Sequence, residues 1–183
     1  MPDGILSAGK LDQLVQVLEL QETGKGVWEW VPVRKAWAQV TVQDKRNLFS
    51  SVGIGARDAA LVLRRQKLTL ENALLWGEQH LFLTDIKPRG RGHLVVSAAL
   101  VFTVKCKAGA IQFPGCLTEK YVQYEAMMPM DVNRVRYVLV TPKAMQLAPG
   151  HILDISGTAY HILLAHTLDG YKNEYEIMRT VDL

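Results

Sequence analysis

The sequence contains five histidines and two cysteines, the residue types that most readily bind metals or act as acids, bases and nucleophiles. The histidines are His80, His93, His151, His161 and His166. His161 and His166 are five positions apart, so they point to opposite faces of a continuous strand, and no HExxH motif or paired carboxylates accompany them. Cys106 and Cys116 are too far apart for a CxxC motif. The spacing therefore predicts no metal site.

The serines and glycines lack the neighbours that catalysis requires. Ser50-Ser51 and Ser156-Gly157 do not stand in a strand-to-helix nucleophile elbow. Gly53-Ile54-Gly55 is not followed by a helix start and a third glycine, as dinucleotide binding requires. We therefore predict that the protein is not an enzyme and uses no cofactor.

Two interpretations of Cys106 and Cys116 stay open at this point. They are either free thiols in a reducing compartment or a disulfide that spans the intervening turn. The stretch from Met1 to Leu6 has no basic segment followed by an apolar core, and no apolar run reaches the roughly 18 residues of a membrane span. We expect a soluble protein that works in a cytoplasm or in a particle assembled there.

The positive charge is unevenly distributed. The net charge is +3, and the whole surplus lies in residues 1–100, which hold 13 Lys/Arg against 10 Asp/Glu. Six basic residues of that half are candidates for facing DNA or a partner: Arg64, Arg65, Lys67, Lys87, Arg89 and Arg91. A glycine-interleaved basic loop is also typical of a solvated hairpin tip. A charge this small does not by itself drive tight DNA binding.

Two similar hairpins organise the predicted elements. Residues 74–84 are two apolar runs joined at Gly77, and residues 153–164 repeat this arrangement around Gly157. Residues 59–64 and 94–100 read as further strands, the latter continuing toward Lys107. Almost no segment has a helical period.

The first half also contains an aromatic strand and a long connection. Residues 35–42 alternate with a period of two, and we predict Trp37 as their core residue. Residues 43–57 break the rhythm and predict a long loop, a length that is often functional; a surface excursion or a short helix is the alternative.

Several elements recur in order at offsets of 80 to 85 residues, as a diverged duplication would leave them. With 183 residues, 49% hydrophobic and 21% charged, the composition is that of a globular protein. We predict a mainly β fold built of small antiparallel β-barrels. It consists of an N-terminal arm at 1–9, a first module at 10–100 and a second, diverged module at 101–183, in which a shorter loop at 126–133 replaces the long one.

Residues 9 to about 99 resemble the phage head–tail joining proteins, the small β-barrel stopper or head-completion proteins of the tailed-phage neck. The resemblance rests on the order of Gly9-Lys10-Leu11, an aromatic strand with Trp28 or Trp30, residues 36–40, the Leu61-Val62-Leu63-Arg64 strand and the Gly77 hairpin. The family is usually one barrel long, and its Asp-Gly-Arg-x-Tyr turn is absent from 76–80. Residues 157–162 keep that turn better.

The resemblance implies a structural virion protein. It would form a ring of six or twelve copies between the portal or adaptor ring and the tail terminator or tail proteins, retain packaged double-stranded DNA non-specifically, and assemble in the host cytoplasm without a membrane. We expect the long loop to line or plug the channel. The candidate residues are Lys45, Arg46, Asn47, Leu48, Phe49, Ser50, Ser51, Val52, Gly53, Ile54 and Gly55.

Two alternatives compete with this interpretation. One is a tail terminator or tail-completion ring of the same particle. The other is a nucleic-acid-binding double barrel, in which the basic residues form a phosphate track and Trp28, Trp30 or Trp76 stack on bases.

Overall fold

The computed structural model describes residues 11–46, 57–120 and 136–182, and these form a mainly β protein. Within these ranges the chain forms twelve strands and one short 3₁₀ turn at Thr180–Asp182. The strands are β1 Gln13–Gly24, β2 Val27–Arg46, β3 Arg57–Arg64, β4 Ala73–Trp76, β5 Gln79–Arg89, β6 His93–Val101, β7 Thr103–Ala108, β8 Ile111–Lys120, β9 Arg136–Pro142, β10 Ile152–Ile155, β11 Thr158–His166 and β12 Lys172–Arg179. The described ranges contain no helix with the length and hydrophobicity that a membrane span requires.

The strands pair into one mixed sheet in the order β1-β4-β5-β6-β3-β2-β8-β7-β10-β11-β12-β9. Its pairs are antiparallel except that of β2 with β8, which is parallel and places Val27 opposite Gln112. Two additional pairings connect the first and last strands of each half of this order: β1 pairs with β2, and β8 pairs with β9. Each set of six strands is therefore a complete cycle of pairings.

The chain divides into two compact units that are not consecutive in sequence. The described part of the first unit is 11–19, 31–46 and 57–101, and that of the second is Leu20–Trp30, 102–120 and 136–182. The tip of the β1–β2 hairpin therefore belongs to the second unit, although it precedes most of the first in sequence.

The core of the first unit follows the period of two along its strands. Leu61 and Leu63 on β3 have no exposed surface, and neither do Val15 and Val17 on β1. The intervening positions of β3 are only half-buried. This alternation is the pattern of a sheet with one face on the core.

The second unit has its own core, which includes Tyr175 and Ile177 of β12. A bulge between Ile162 and Leu164 shifts the register of β11 against β12. Before the bulge His161 lies opposite Met178, and beyond it His166 lies opposite Glu174; these two partners are on one face of β12. The prediction that these two histidines point to opposite faces is therefore wrong, because the bulge reverses the alternation.

Both predicted hairpins are confirmed, β4–β5 and β10–β11. Gly77 has a φ of 59°, and Ser156 and Gly157 have φ of 51° and 89°. Two-residue hairpin turns require such positive φ values. In the second turn Asp154 also accepts a hydrogen bond from the Gly157 N–H at 3.0 Å.

Two predicted boundaries are wrong. The strand expected to run on toward Lys107 stops at Val101, and β7 starts anew at Thr103. The predicted loop bounds of 43–57 are wrong at both ends, because β2 continues to Arg46, which pairs with Arg57 of β3 beyond an irregularity after Val42. Strand pairing with β3 thus extends into a segment that its charged composition marked as a loop.

Candidate functional site

Most of the predicted channel loop lies outside the described residues. Lys45 and Arg46 are in β2, and residues 47–55 are among those the structure does not describe. The residues between β2 and β3, over 47–56, and those between β8 and β9, over 121–135, both lie outside the described part of the chain. The predicted shorter loop at 126–133 therefore lies outside the described residues as well, and its length relative to the first loop stays a prediction.

The six predicted basic residues lie on the first unit, but only some of them are brought together. Arg64 ends β3, with Arg65 and Lys67 following it, while Arg89 ends β5 and Arg91 lies in the turn after it. Lys87 is also on β5, two residues before Arg89.

A row across three strands connects two of these residues. His93 of β6 lies opposite Arg64 of β3 on one side and opposite Arg89 of β5 on the other. Residues directly opposite in a ladder project from the same face, and strands are about 4.8 Å apart, so the row spans roughly 10 Å. The adjacent Leu63 and Leu94 are buried in the core. The row Arg64–His93–Arg89 therefore faces outward.

Trp37 lies on the outward face beside this row. It is 57% exposed, whereas its neighbour Ala38 is fully buried and pairs with Leu63. The prediction of Trp37 as a core residue is therefore wrong. Lys35 and Gln39, on the same face, are polar, and this was the available signal for the phase of the strand.

A cavity of about 530 Å³ opens between Trp37 and the basic residues. Its lining includes three cationic side chains, from Lys35, Arg64 and Arg65, and the indole of Trp37. The remaining lining residues are Leu11, Ala36 and Gln66. Guanidinium and ammonium groups around an aromatic face form a site for an anionic ligand that carries a flat ring.

The segment that carries Arg64 and Arg65 is held by hydrogen bonds on both sides. The Arg65 N–H donates to the Gly92 carbonyl at 2.8 Å. Arg34 donates its Nε to Gln66 Oε1 at 3.0 Å and a terminal nitrogen to the Lys67 carbonyl. These contacts order the backbone next to the cavity, and a preorganised site costs less entropy on binding.

Lys87 is compensated by a neighbouring acid. Its Nζ is 2.6 Å from Asp85 Oδ2, with both side chains largely exposed. The hydrogen bond between them lowers the pKa of the Asp85 carboxyl and raises the pKa of Lys87. Lys87 therefore adds less uncompensated positive charge to this surface than Arg64 or Arg89.

The tryptophans predicted to stack on bases are not at this surface. Trp76 packs on the core of the first unit, and its Nε1 donates to Gln13 at 3.3 Å. Trp28 packs on the core of the second unit, and Trp30 belongs to that unit as well. Trp37 is the aromatic residue that accompanies Arg64 and Arg65.

The second unit has an ionic cluster on β12. Glu176 is 7% exposed, and its carboxylate lies 3.2 Å from His166 Nε2 and 3.9 Å from an Arg136 nitrogen. Burial raises the pKa of the nearby Glu174 carboxyl. Within residues 11–46, 57–120 and 136–182, no three His, Cys, Asp or Glu side chains are grouped so as to hold a metal ion.

Cys106 and Cys116 are free and buried. They lie on neighbouring strands but not opposite each other, since Cys106 pairs with Phe113 and Cys116 with Thr103. Burial raises the pKa of the Cys106 thiol to about 12 and that of Cys116 to about 11. Of the two interpretations left open by the sequence, free thiols are the one found, and such thiols are poor nucleophiles.

Comparisons of the chain with family models, with curated proteins and with solved structures found no match.

Proposed function

We propose that this protein is a structural component of a tailed-phage neck, a ring between the portal or adaptor and the tail that closes the head after DNA packaging. The proposal starts from the resemblance of residues 9 to about 99 to the stopper proteins. The observation that supports it most is the strand order, which occurs twice in the chain.

The two sets of six strands correspond one to one. The first cycle runs β1-β4-β5-β6-β3-β2, and replacing each strand by the one six places later gives β7-β10-β11-β12-β9-β8, the cycle of the second set. The hairpin turns at Gly77 and Gly157 fall at equivalent places in the two cycles. We infer that the chain is a tandem duplication of one module.

We further infer that each module is a small barrel. In a cycle of pairings every strand has a neighbour on both sides, and closure of a sheet is one way in which antiparallel proteins avoid edge-to-edge aggregation. A rigid closed module can be repeated around an axis through head-to-tail interfaces, which is how rings form.

Exposed apolar side chains support contacts with neighbouring subunits. Phe102 is 80% exposed, Val181 89% and Leu168 fully exposed. Aromatic side chains such as Phe102 are enriched in protein interfaces relative to the remaining surface. A ring subunit flanked by copies of itself and by portal and tail proteins would cover them.

A null mutation in the phage that encodes the chain tests the role. A stop codon at Gln13 should leave full-length tails and DNA-filled heads that do not join, with DNA leaking from the heads. Restoration by the supplied wild-type protein is the control. Normal virions would overturn the proposal, and so would heads that never fill.

The same experiment separates the tail-terminator alternative. Loss of a terminator leaves heads intact and gives tails of irregular length, whereas loss of a stopper leaves tail length unchanged. Mass measurement of the purified ring then tests its composition. With two modules per chain, six copies of the 20.5 kDa chain would match a twelve-fold partner.

A further inference from the structure

We propose that the outward face of the first unit, around Trp37 and the Arg64–His93–Arg89 row, binds single-stranded nucleic acid, with one unpaired base stacked on Trp37. This activity is independent of the neck role, which requires only non-specific retention of duplex DNA. The geometry points to it by placing an exposed indole beside a cavity lined by three cations.

The charges on this face suit a phosphodiester backbone. Lys35, Arg64 and Arg65 line the cavity, and the row extends the positive charge to Arg89 across β6. Two acids also project outward from these strands. Asp85 pairs with Lys87, and Asp58 lies six positions before Arg64 on β3, about 20 Å along the strand. Near the cavity itself, the exposed Asp12 follows the lining residue Leu11, so the three lining cations outnumber the acid there.

The aromatic residue favours a single strand over a duplex. Among the described residues of the first unit, Trp37 is the one exposed aromatic side chain, since Phe82 is buried and Trp76 packs on the core. A base offers a free face for stacking only when it is not stacked between neighbours in a duplex. A surface that recognised duplex DNA through phosphates alone would have no use for the indole.

The cavity also argues for a ligand rather than for a flat protein contact. Its volume of about 530 Å³ is within the range of small-molecule sites, and its rim is held by the Arg65–Gly92 and Arg34–Gln66 hydrogen bonds. A base with its sugar and phosphate combines a flat ring with an anion. The indole of Trp37 is complementary to the ring, and the guanidinium of Arg64 is complementary to the anion.

Fluorescence anisotropy of the purified full-length protein with a labelled oligothymidine of roughly 16 nucleotides tests the proposal. Trp37→Ala should weaken binding about 5- to 150-fold, the effect of one lost stacking contact, while Trp37→Phe should keep most of the affinity. Arg64→Ala should reduce the slope of log K against log salt by about 0.7, as expected for one lost phosphate contact on a single strand.

Two variants in the second unit are matched controls. Tyr171→Ala removes an aromatic side chain that is 42% exposed, and Lys107→Ala removes an exposed cation. Both should bind as the wild type does. If they weaken binding as much as Trp37→Ala and Arg64→Ala, the interaction is not located at the Trp37 face and the proposal is wrong.

Three other outcomes would also overturn it. The first is that a duplex of the same length binds with equal affinity and that Trp37→Ala does not change this affinity. The second is mononucleotide binding as tight as that of the oligomer, which would make the cavity a nucleotide site. The third is no binding, with self-association that Trp37→Ala abolishes, which would assign the face to a second copy of the chain. None of these results bears on the virion phenotype of the null mutant, so the two proposals fail separately.

Discussion

Trp37 and Ala38 are consecutive on β2 and project to opposite sides of the sheet: Trp37 is 57% exposed and Ala38 has no exposed surface. Ala38 lies opposite Leu63 in the core of the first unit, so a larger side chain there would have to displace core neighbours.

The two positions should therefore respond oppositely to a change of size. We expect Trp37→Ala to change the free energy of unfolding by less than about 0.5 kcal/mol, as at other surface sites. Ala38→Leu should lower it by about 1–3 kcal/mol because it overpacks the core. Urea unfolding of both variants measures this, and a larger loss in Trp37→Ala than in Ala38→Leu would contradict the orientation of β2.

The close approach at Gly26 predicts a second effect. Gly26 has a φ of 75°, and a Cβ there would lie 3.0 Å from the Ala110 carbonyl oxygen. Its own carbonyl accepts a 2.7 Å hydrogen bond from the Gln112 N–H. Gly26→Ala should cost more than the roughly 1–2 kcal/mol of a left-handed alanine alone.

Gly90→Ala is the matched control for that substitution. Gly90 has a φ of 59°, and a Cβ added there would have no neighbouring atom within 4 Å, so only the backbone cost applies. Equal losses of unfolding free energy in the two variants would show that the Gly26–Ala110 approach has no energetic weight.

The hydroxyl of Tyr175 makes two hydrogen bonds, one of them fully buried. It donates to the Met145 carbonyl at 3.0 Å and accepts from the Leu147 N–H at 3.1 Å. Tyr175→Phe should lower the free energy of unfolding by about 1–3 kcal/mol, because it leaves the Leu147 N–H without its acceptor, while the Met145 carbonyl keeps a hydrogen bond from Asn173 Nδ2 at 2.8 Å. Tyr171→Phe, at a residue 42% exposed, should cost less. Similar losses in thermal or urea unfolding would contradict this assignment.

His80 predicts a dependence of stability on pH. Burial lowers its pKa from 6.5 to about 4. Between these values the unfolded chain binds the proton and the folded chain does not, so stability falls as the pH drops below about 6.5. At a pH of about 4.5 the loss should reach roughly 2–3 kcal/mol.

His80→Gln should remove this part of the pH dependence. The measurement is urea unfolding of both proteins at about pH 7 and about pH 4.5, where the variant should lose less stability than the wild type. Carboxyl groups contribute to both proteins and cancel in the difference. Equal losses of stability in the two proteins would mean that the pKa of His80 is not lowered by folding.

Some of the fold could be predicted because it depends on short-range chemistry. The glycine turns at Gly77 and Gly157 and the apolar runs around them specify their hairpins locally, and the period of two specifies strands. The basic residues after β3 and near the β5–β6 turn were also visible as candidates in the sequence. The sequence did not indicate which of these basic residues lie side by side on one face of the sheet.

The remaining features depend on pairing between distant strands. The row that joins Arg64 to Arg89 exists because β6 lies between β3 and β5, and its register puts His93 opposite both arginines. The same pairing phase turns Trp37 outward, and the bulge in β11 places His161 and His166 on one face. Local residue patterns were enough to locate most of the strands and their turns. Which side chains share a face follows from the folded pairing alone, because a shift of one residue in register reverses every orientation along a strand.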